Sequence, residues 1–321
     1  MKTVLVDNSL CVYTLCDDAD EEYIYNYIRA LGAAGVRYVE IDFRTLMKLH
    51  TLPENVGYIF RLVDPMFMGL TEVYKFDYML LTPADIRKKI KTPIPVMLGL
   101  PVTQASRKFF QYAGGLLDGQ ITAVRVRGSI PMMSPENAGG YVRFLKNEFP
   151  VPVDVCPLND QRAALDAAVK LSRENIDSLT LTMGAPERYC SLDEYLFTML
   201  TVFDRLPLGV NIHALCRAAV FQRFIFKNCR GADGMLNMLD IVDHDIHFLR
   251  NADTGARVPL KVSLKEAAYI KRTFVSALER MAKAEEIPPD VFEDLTEAMR
   301  RFDVSLFDEK LMENRQRTFL N

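Results

Sequence analysis

The chain has 321 residues, of which 49% are hydrophobic and 25% charged, a composition typical of a soluble globular protein with a sizeable core. Its formal net charge of −3 at pH 7 argues against nucleic acid or an anionic membrane as the main partner. No apolar run is long enough to span a bilayer, and the first residues lead into a predicted strand instead of a signal peptide.

Apolar runs of strand length alternate with amphipathic helices over residues 3–240. The first strand is predicted at Thr3–Asp7, a helix follows over Asp18–Gly35, and the second strand is Tyr38–Asp42. Further strands are predicted at Pro95–Gly99, Ile121–Arg127, Val151–Cys156, Ser178–Thr182, Leu208–His213 and Gly234–Leu239. Helices between them are predicted at Gln104–Leu117, Pro135–Asn147, Gln161–Glu174, Leu192–Asp204 and Ala218–Lys227. Eight strands alternating with helices predict an α/β fold, a closed (β/α)8 barrel of the triosephosphate-isomerase (TIM) type.

Residues 43–92 fit this alternation poorly. The segment is too long for one crossover and contains two more apolar runs, Tyr58–Val63 and Phe76–Leu81. We interpret it as an insertion between the second and third strands, placed where it could cover the barrel mouth.

The end of the chain also departs from the pattern. A long helix is predicted over Leu264–Lys283 and a shorter one over Asp290–Phe302. The chain is therefore predicted to consist of a barrel over residues 1–250 and a C-terminal helical extension and tail over residues 251–321.

The alternation along each strand predicts which side chains point into the barrel, because the face toward the helices is the more uniformly apolar one. The chemically informative residues predicted to point inward are Asp7, Glu40, Asp42, Arg125, Arg127, Asp154, Cys156, Thr182, Asn211, His213 and Asn237. Active sites of this fold lie at the C-terminal ends of the strands, so the last inward residue of each strand matters most.

Arg125 and Arg127 share one face of one predicted strand. A buried arginine requires an anion, because an unpaired charge there costs on the order of several kcal/mol. One interpretation is internal pairing with Asp154, Glu40 or Asp42. The other is a fork for the carboxylate of a small acid, which guanidinium geometry suits. Both hold if Arg125 is structural and Arg127 lies nearer the mouth.

Asn211 and His213 form an N-x-H pair whose spacing on a strand would direct both side chains to one site. A neutral imidazole and an amide oxygen can both ligate a divalent metal, and Asp7 could supply a third ligand. Asp7 and His213 are also the candidate catalytic groups. The alternative is a hydrogen-bonded core histidine, and the residues alone leave both interpretations open.

Motifs of other functional classes are absent from the sequence. It contains no G-x-x-x-x-G-K-[ST], no G-x-G-x-x-G and no G-x-S-x-G, so readings as a nucleotide-phosphate-binding protein or a serine hydrolase lack their loops. The six cysteines include no C-x-x-C pair, which favours reduced thiols in a cytoplasmic protein.

The order of these pieces resembles the HMG-CoA-lyase-like, or pyruvate-carboxyltransferase, TIM barrels, which include homocitrate synthase and isopropylmalate synthase. Residues 4–10 and 35–41 are similar to that family's D-T-T-L-R-D-G start and its A-G-V-x-x-I-E-V second strand. Residues 179–184 are similar to its A-D-T-x-G segment. Residues 208–213 fall where it has G-F-H-x-H-N-D, and residues 233–239 resemble its D-G-T-x-N-G-L-G strand.

The resemblance implies a divalent metal, held by the Asp of R-D-G and both His of H-x-H, with the neighbouring Arg acting on an oxo acid. In this sequence Cys11, Val12 and Tyr13 occupy the R-D-G positions, and Asn211 replaces the first His. His213 alone matches at those four catalytic positions. Apolar Val12 cannot coordinate a cation, so the metal site cannot form in the family's way.

The resulting hypothesis is a divergent homocitrate/isopropylmalate-synthase-like barrel with an anion-lined pocket that lacks the metal-dependent activity. It would bind a small carboxylate or acyl compound, and form a homodimer or act as the non-catalytic partner of an active paralogue. The predicted ligand-binding residues are Arg125, Arg127, Glu40, Asp42, Thr182 and Asn237.

Two alternatives remain. One is an active acyltransferase or aldolase/lyase that makes or breaks a C–C bond of a 2-oxo acid through a rearranged site. The other is an interaction protein that uses the predicted insertion and the C-terminal helices.

Overall fold

The computed structural model describes residues 2–88, 90, 92–130, 135–159, 163–184, 188–203, 206–227, 229, 232, 248–250, 257–259 and 264–301. Eight parallel strands close a barrel in the order β1 to β8, and β8 pairs back onto β1. The strands are Val4–Asp7, Tyr38–Ile41, Gly57–Arg61, Tyr78–Leu81, Val96–Pro101, Ile121–Gly128, Val153–Pro157 and Ser178–Leu181. The predicted (β/α)8 barrel is confirmed.

Helices of very different length surround the strands. In chain order, α1 to α6 are Ser9–Val12, Glu21–Ala33, Phe43–Leu46, Leu70–Val73, Pro83–Arg87 and Arg107–Leu116. The next six, α7 to α12, are Pro135–Glu148, Ala164–Arg173, Leu192–Phe203, Ile212–Ile225, Leu264–Lys283 and Pro289–Arg301. Short 3₁₀ turns cover Pro65–Gly69 and Val102–Gln104, and a separate antiparallel pair joins Phe248–Arg250 (β9) to Arg257–Pro259 (β10). Among the described helices, none has the length and apolar character needed to cross a membrane.

The prediction that residues 43–92 form an insertion is wrong. Strands β3 and β4 lie inside this segment and pair in parallel with β2, with each other and with β5. The crossovers around them contain helices of only four or five residues, α3, α4 and α5. Such single turns are too short to show the 3.6-residue apolar period on which the sequence interpretation relied.

The prediction of a strand over Leu208–His213 is also wrong. The side-chain oxygen of Asn211 accepts hydrogen bonds from the backbone N–H groups of His213 and Ala214, at 3.0 and 3.3 Å. Asn211 is therefore the N-cap of α10, a position that asparagine favours strongly. Helix α10 packs against α2 and α11. The last predicted strand, Gly234–Leu239 with Asn237, lies outside the described residues.

The turn before α10 lies against the end of α2 at Gly35. This glycine has φ +98°, and a Cβ there would lie 2.7 Å from the carbonyl oxygen of Gly209. We expect Gly35→Ala to lower the free energy of unfolding by about 2 kcal/mol, because the left-handed backbone and the close approach both disfavour a methyl group. Urea denaturation measures the loss. Gly114→Ala, in open space on α6, is the control, and equal losses in both variants would contradict the explanation.

Two apolar layers enclose the strands. Val6 belongs to the cluster inside the barrel, together with Ile59 and Met97, whereas Leu5 belongs to the layer between strands and helices. Because side chains alternate along a strand, Asp7 shares the outer face with Leu5. The prediction that Asp7 points into the barrel is therefore wrong.

Candidate functional site

A cavity of about 600 Å³ opens at the C-terminal ends of the barrel strands, the end at which enzymes of this fold place their active sites. Its lining is rich in arginine and contains one carboxylate, that of Glu40, among the described residues. The five arginines are Arg61, Arg87, Arg125, Arg127 and Arg188. Asn8, Thr82, Gln104, Cys156 and Tyr189 complete the polar lining.

The arginines lie at graded depths. Arg125 is buried at the floor of the cavity, where Asn8, Glu40 and Cys156 are buried too. Arg61 and Arg127 are half-buried in the wall, and Arg87 and Arg188 are exposed at the rim.

The floor is held together by an ion triad inside the barrel. Arg125 pairs through Nη1 with Glu40 on β2 and through Nε with Asp154 on β7. Burial lowers the pKa of Arg125, but the two carboxylates outweigh it and raise that pKa above its usual value. One guanidinium thus faces two carboxylates, so the floor has no surplus positive charge. Internal pairing, one of the two interpretations considered for this strand, accounts for Arg125.

The positive charge of Arg61 is offset less than that of Arg125. Its Nη1 lies 3.7 Å from Oε1 of Glu40 and donates a long hydrogen bond of 3.4 Å to the carbonyl of Cys11. Glu40 therefore offsets part of its charge. Arg61 links β3 to α1, the short helix that follows β1.

Arg127 differs from both because its partner is neutral. Its Nη2 donates to the hydroxyl of Tyr189 at 2.5 Å, and its guanidinium carbon lies 5.2 Å from the centre of the Tyr189 ring. Burial is the main cause that raises the pKa of Tyr189, so the phenol is uncharged at neutral pH. No carboxylate of the described chain pairs with Arg127, and its buried Nε has no hydrogen-bond partner there. Arg127 is a fixed cation whose charge no carboxylate of the described residues offsets.

The loop after β8 carries Tyr189 to the cavity, and backbone contacts fix its position. Tyr189 forms an antiparallel bridge with Leu158, and the N–H of Asn159 donates to the carbonyl of Arg188 at 2.9 Å. A second bridge joins Ser191 to Thr182. These bonds hold the loop against the end of β7.

The thiol groups near the cavity are not activated. Burial raises the pKa of Cys156 to about 12 and holds that of Cys11 well above its usual range. Both thiols are protonated at neutral pH, and a protonated thiol is a poor nucleophile and metal ligand. The site therefore lacks a thiolate.

The other predicted ligand-binding residues contact protein groups. Asp42 is the N-cap of α3 and pairs with Arg44 at 2.6 Å. Thr182 donates to the side-chain oxygen of Asn8 at 2.5 Å and so supports a residue of the cavity lining. The structure brings Glu40, Arg125 and Arg127 to the cavity, whereas Asp42 and Thr182 are not part of its lining.

Asp7, a candidate catalytic group, faces the helices. Its carboxylate accepts hydrogen bonds from the backbone and hydroxyl of Ser9 and from the backbone N–H of Met183, at 2.7–3.2 Å. Burial raises its pKa to about 7 against these bonds. It is not among the residues of the cavity lining.

The residues do not fit the divalent metal that the family resemblance implies. His213 lies in the first turn of α10, where burial and then Arg280 and Arg217 lower its pKa. Asn211 is engaged in capping, and Val12 offers no donor atom. Within the part of the chain that the structure describes, no three His, Cys, Asp or Glu side chains converge in a way that could hold a metal ion.

Among the cavity residues that the sequence interpretation missed are three arginines and a tyrosine: Arg61, Arg87, Arg188 and Tyr189. Arg61 was accessible to it, because it shares a face with Ile59 on a run that was interpreted as part of an insertion. Arg87 lies in that same segment, residues 43–92. Arg188 and Tyr189 lie in a loop, where no period predicts the direction of a side chain.

No protein-family model matches the sequence, and no curated protein matches it either. By structure the chain is similar to the HMG-CoA lyase of Bacillus subtilis, with 12% identity and a TM-score of 0.52 over 70% of this chain and 93% of that one. The lyase of Brucella melitensis gives 10% identity and 0.52 over 70% and 99%. The lyase of Pseudomonas aeruginosa gives 13% and 0.51 over 74% and 98%. The protein therefore has the (β/α)8 barrel fold of the HMG-CoA lyases.

Proposed function

We propose that the protein is a divergent HMG-CoA-lyase-like barrel whose mouth binds a small organic anion without the metal-dependent chemistry of that family. The observation that carries this proposal is Arg127, a half-buried cation fixed by the neutral Tyr189 and paired with no described carboxylate. A cation in a partly desolvated cavity attracts an anion more strongly than one in bulk water, since the effective dielectric constant is lower.

The graded positions of the other arginines support an anionic ligand. Arg87 and Arg188 at the rim give the entrance positive charge, which raises the local concentration of anions and speeds their association. The wall arginines Arg61 and Arg127 lie deeper. A guanidinium presents paired N–H donors that match a carboxylate in two hydrogen bonds.

Part of the cavity is apolar, which favours a ligand with a hydrocarbon portion. The wall includes Leu62, Leu80, Leu100 and Leu158. The volume of about 600 Å³ falls in the range of small-molecule pockets. A carboxylate or acyl compound with a short carbon chain suits this combination of arginine and leucine.

Removing the fixed cation tests the proposal. We expect Arg127→Ala to weaken the binding of succinate or citrate by about tenfold to a hundredfold, the loss of a charge-assisted hydrogen bond. Isothermal titration calorimetry measures the affinities, and Arg143→Ala on the exposed face of α7 is the matched control. A wild-type protein that binds neither probe, or an Arg127→Ala variant that binds as the wild type does, contradicts the proposal.

The absence of the metal-dependent reaction has its own test. Purified protein supplied with Mg²⁺ or Mn²⁺, an acyl-CoA and a 2-oxo acid is expected to show no turnover, because Val12 and the capping Asn211 cannot serve as ligands. Tight binding of a divalent ion together with turnover would overturn this part of the proposal and restore the enzyme alternative.

A further inference from the structure

We infer that Tyr189 is the positioning residue of the anion site: its hydroxyl and ring fix the guanidinium of Arg127 without neutralising it. The inference rests on the proposed function, because it assigns Tyr189 a role toward the anion that Arg127 would bind.

The contrast among three arginines of one cavity carries the argument. Arg125 is fixed by two carboxylates, and Arg61 lies 3.7 Å from Glu40, so both are offset by negative charge. Arg127 is fixed as well, by a hydrogen bond of 2.5 Å and by the ring below its guanidinium. Its partner is a phenol, which accepts the hydrogen bond and leaves the full positive charge for a ligand.

Fixing the side chain in advance favours binding. A free arginine loses rotamer freedom when an anion orders it, whereas a fixed one has already lost that freedom on folding. Tyr189 can hold Arg127 because its own backbone is bridged to Leu158 and the preceding carbonyl, that of Arg188, is bonded to Asn159. The rigid element of the site is thus the segment at Arg188 and Tyr189 that is bonded to the chain after β7.

Two substitutions at Tyr189 separate its two properties. Tyr189→Phe removes the hydroxyl and keeps the charge of Arg127 free, so we expect succinate to bind about threefold to tenfold more weakly. Tyr189→Glu supplies an acceptor that cancels the charge, and we expect a larger loss, close to that of Arg127→Ala. If Tyr189 only packed against its neighbours, the two variants would not differ in succinate affinity in this order.

A double-mutant cycle ties the effect to Arg127. In an Arg127→Ala background, Tyr189→Phe is expected to leave succinate affinity unchanged, because the group that it positions is gone. A wild-type protein that binds succinate while Tyr189→Phe binds equally well overturns the inference and leaves the proposed function standing. A wild-type protein that binds neither succinate nor citrate removes the proposed function itself.

A measurement on Arg127 in the wild-type protein tests the inference even where the Tyr189 variants fail to fold. In arginine-¹⁵N-labelled wild-type protein, the Nη–H signals of Arg127, assigned by their loss in Arg127→Lys, are expected to exchange slowly with water, because Nη2 donates to Tyr189. A rapidly exchanging Arg127 signal in the folded wild type would overturn the inference.

Discussion

Replacing Arg125 with methionine is expected to lower the free energy of unfolding by about 3–5 kcal/mol. The guanidinium lies inside the barrel with 3% of the residue exposed, between the carboxylates of Glu40 and Asp154. Asp154 also accepts hydrogen bonds from Ser178 at 2.9 Å and Thr180 at 2.5 Å. Methionine would leave two buried carboxylates facing each other without a cation, which is the costly case for a buried ion cluster.

Urea denaturation at neutral pH measures the loss. The matched control is Lys146→Met, which breaks the exposed ion pair between Lys146 and Asp177 at 3.0 Å and is expected to cost less than about 1 kcal/mol. The combined replacement of Arg125, Glu40 and Asp154 by apolar residues is expected to recover much of the loss, since no charge stays buried. An Arg125→Met variant as stable as the control variant would show that the ion triad of Arg125, Glu40 and Asp154 does not stabilise the barrel.

This prediction separates two arginines for which the sequence left internal pairing and ligand binding both open. The Val-Arg-Val-Arg pattern placed Arg125 and Arg127 on one face, and both line the cavity. The deeper one is paired with two carboxylates and the outer one with Tyr189. Pairing depends on contacts between residues 29, 62 and 85 positions apart, and no local pattern encodes such contacts.

The architecture was predictable where helices are long. The amphipathic pattern predicted a helix over Leu264–Lys283, and α11 has those bounds. Around β3 and β4 the helices are a single turn long, so the sequence shows no helical period there and the alternation of strand and helix could not be recognised. Two barrel strands were then missed, and two segments further along the chain were assigned in their place.

The interpretation of Asn211 and His213 as a possible metal-binding pair depended on that strand assignment. The apolar run Leu208–His213 was counted among the eight strands, and its position matched the family's metal-binding H-x-H segment. A local signal pointed the other way, since asparagine is one of the residues favoured at helix N-caps. Asp7 was misplaced for another reason: Leu5, Val6 and Asp7 are all buried, so burial does not distinguish the two faces of β1.

The second large effect concerns pH. The free energy of unfolding is expected to fall as pH rises from about 4 to about 7, because the pKa values of three carboxyl groups are raised in the folded protein. Burial is the main cause that raises the pKa values of Asp7, Asp193 and Glu194, each to about 7. Their ordinary values are 3.8 for the two aspartates and 4.5 for the glutamate, which apply to the unfolded chain. Between these limits the folded state binds more protons than the unfolded state, so raising the pH destabilises the fold.

Asp193→Asn isolates one of these groups. Its Oδ1 accepts hydrogen bonds from the N–H of Gly184 at 2.9 Å and the hydroxyl of Ser191 at 2.6 Å, which an amide oxygen can also accept. Its buried Oδ2 has no hydrogen-bond partner among the described residues, so an amide nitrogen there breaks no bond. The variant should therefore keep the geometry and lose only the ionisation.

The expected result is a difference between variant and wild type that grows with pH. At pH 5 the folded wild type holds Asp193 neutral, as the variant does, whereas at pH 8 it must bury the charge. One pKa unit corresponds to about 1.4 kcal/mol, so the variant should gain on the order of 2 kcal/mol over wild type between pH 5 and pH 8. His213 titrates with the opposite sign, since its pKa is lowered, but both proteins contain it and its contribution cancels in the difference. Urea denaturation at the two pH values measures the gain, and a difference that stays constant would mean that Asp193 is ionised in the folded protein at pH 5 as well.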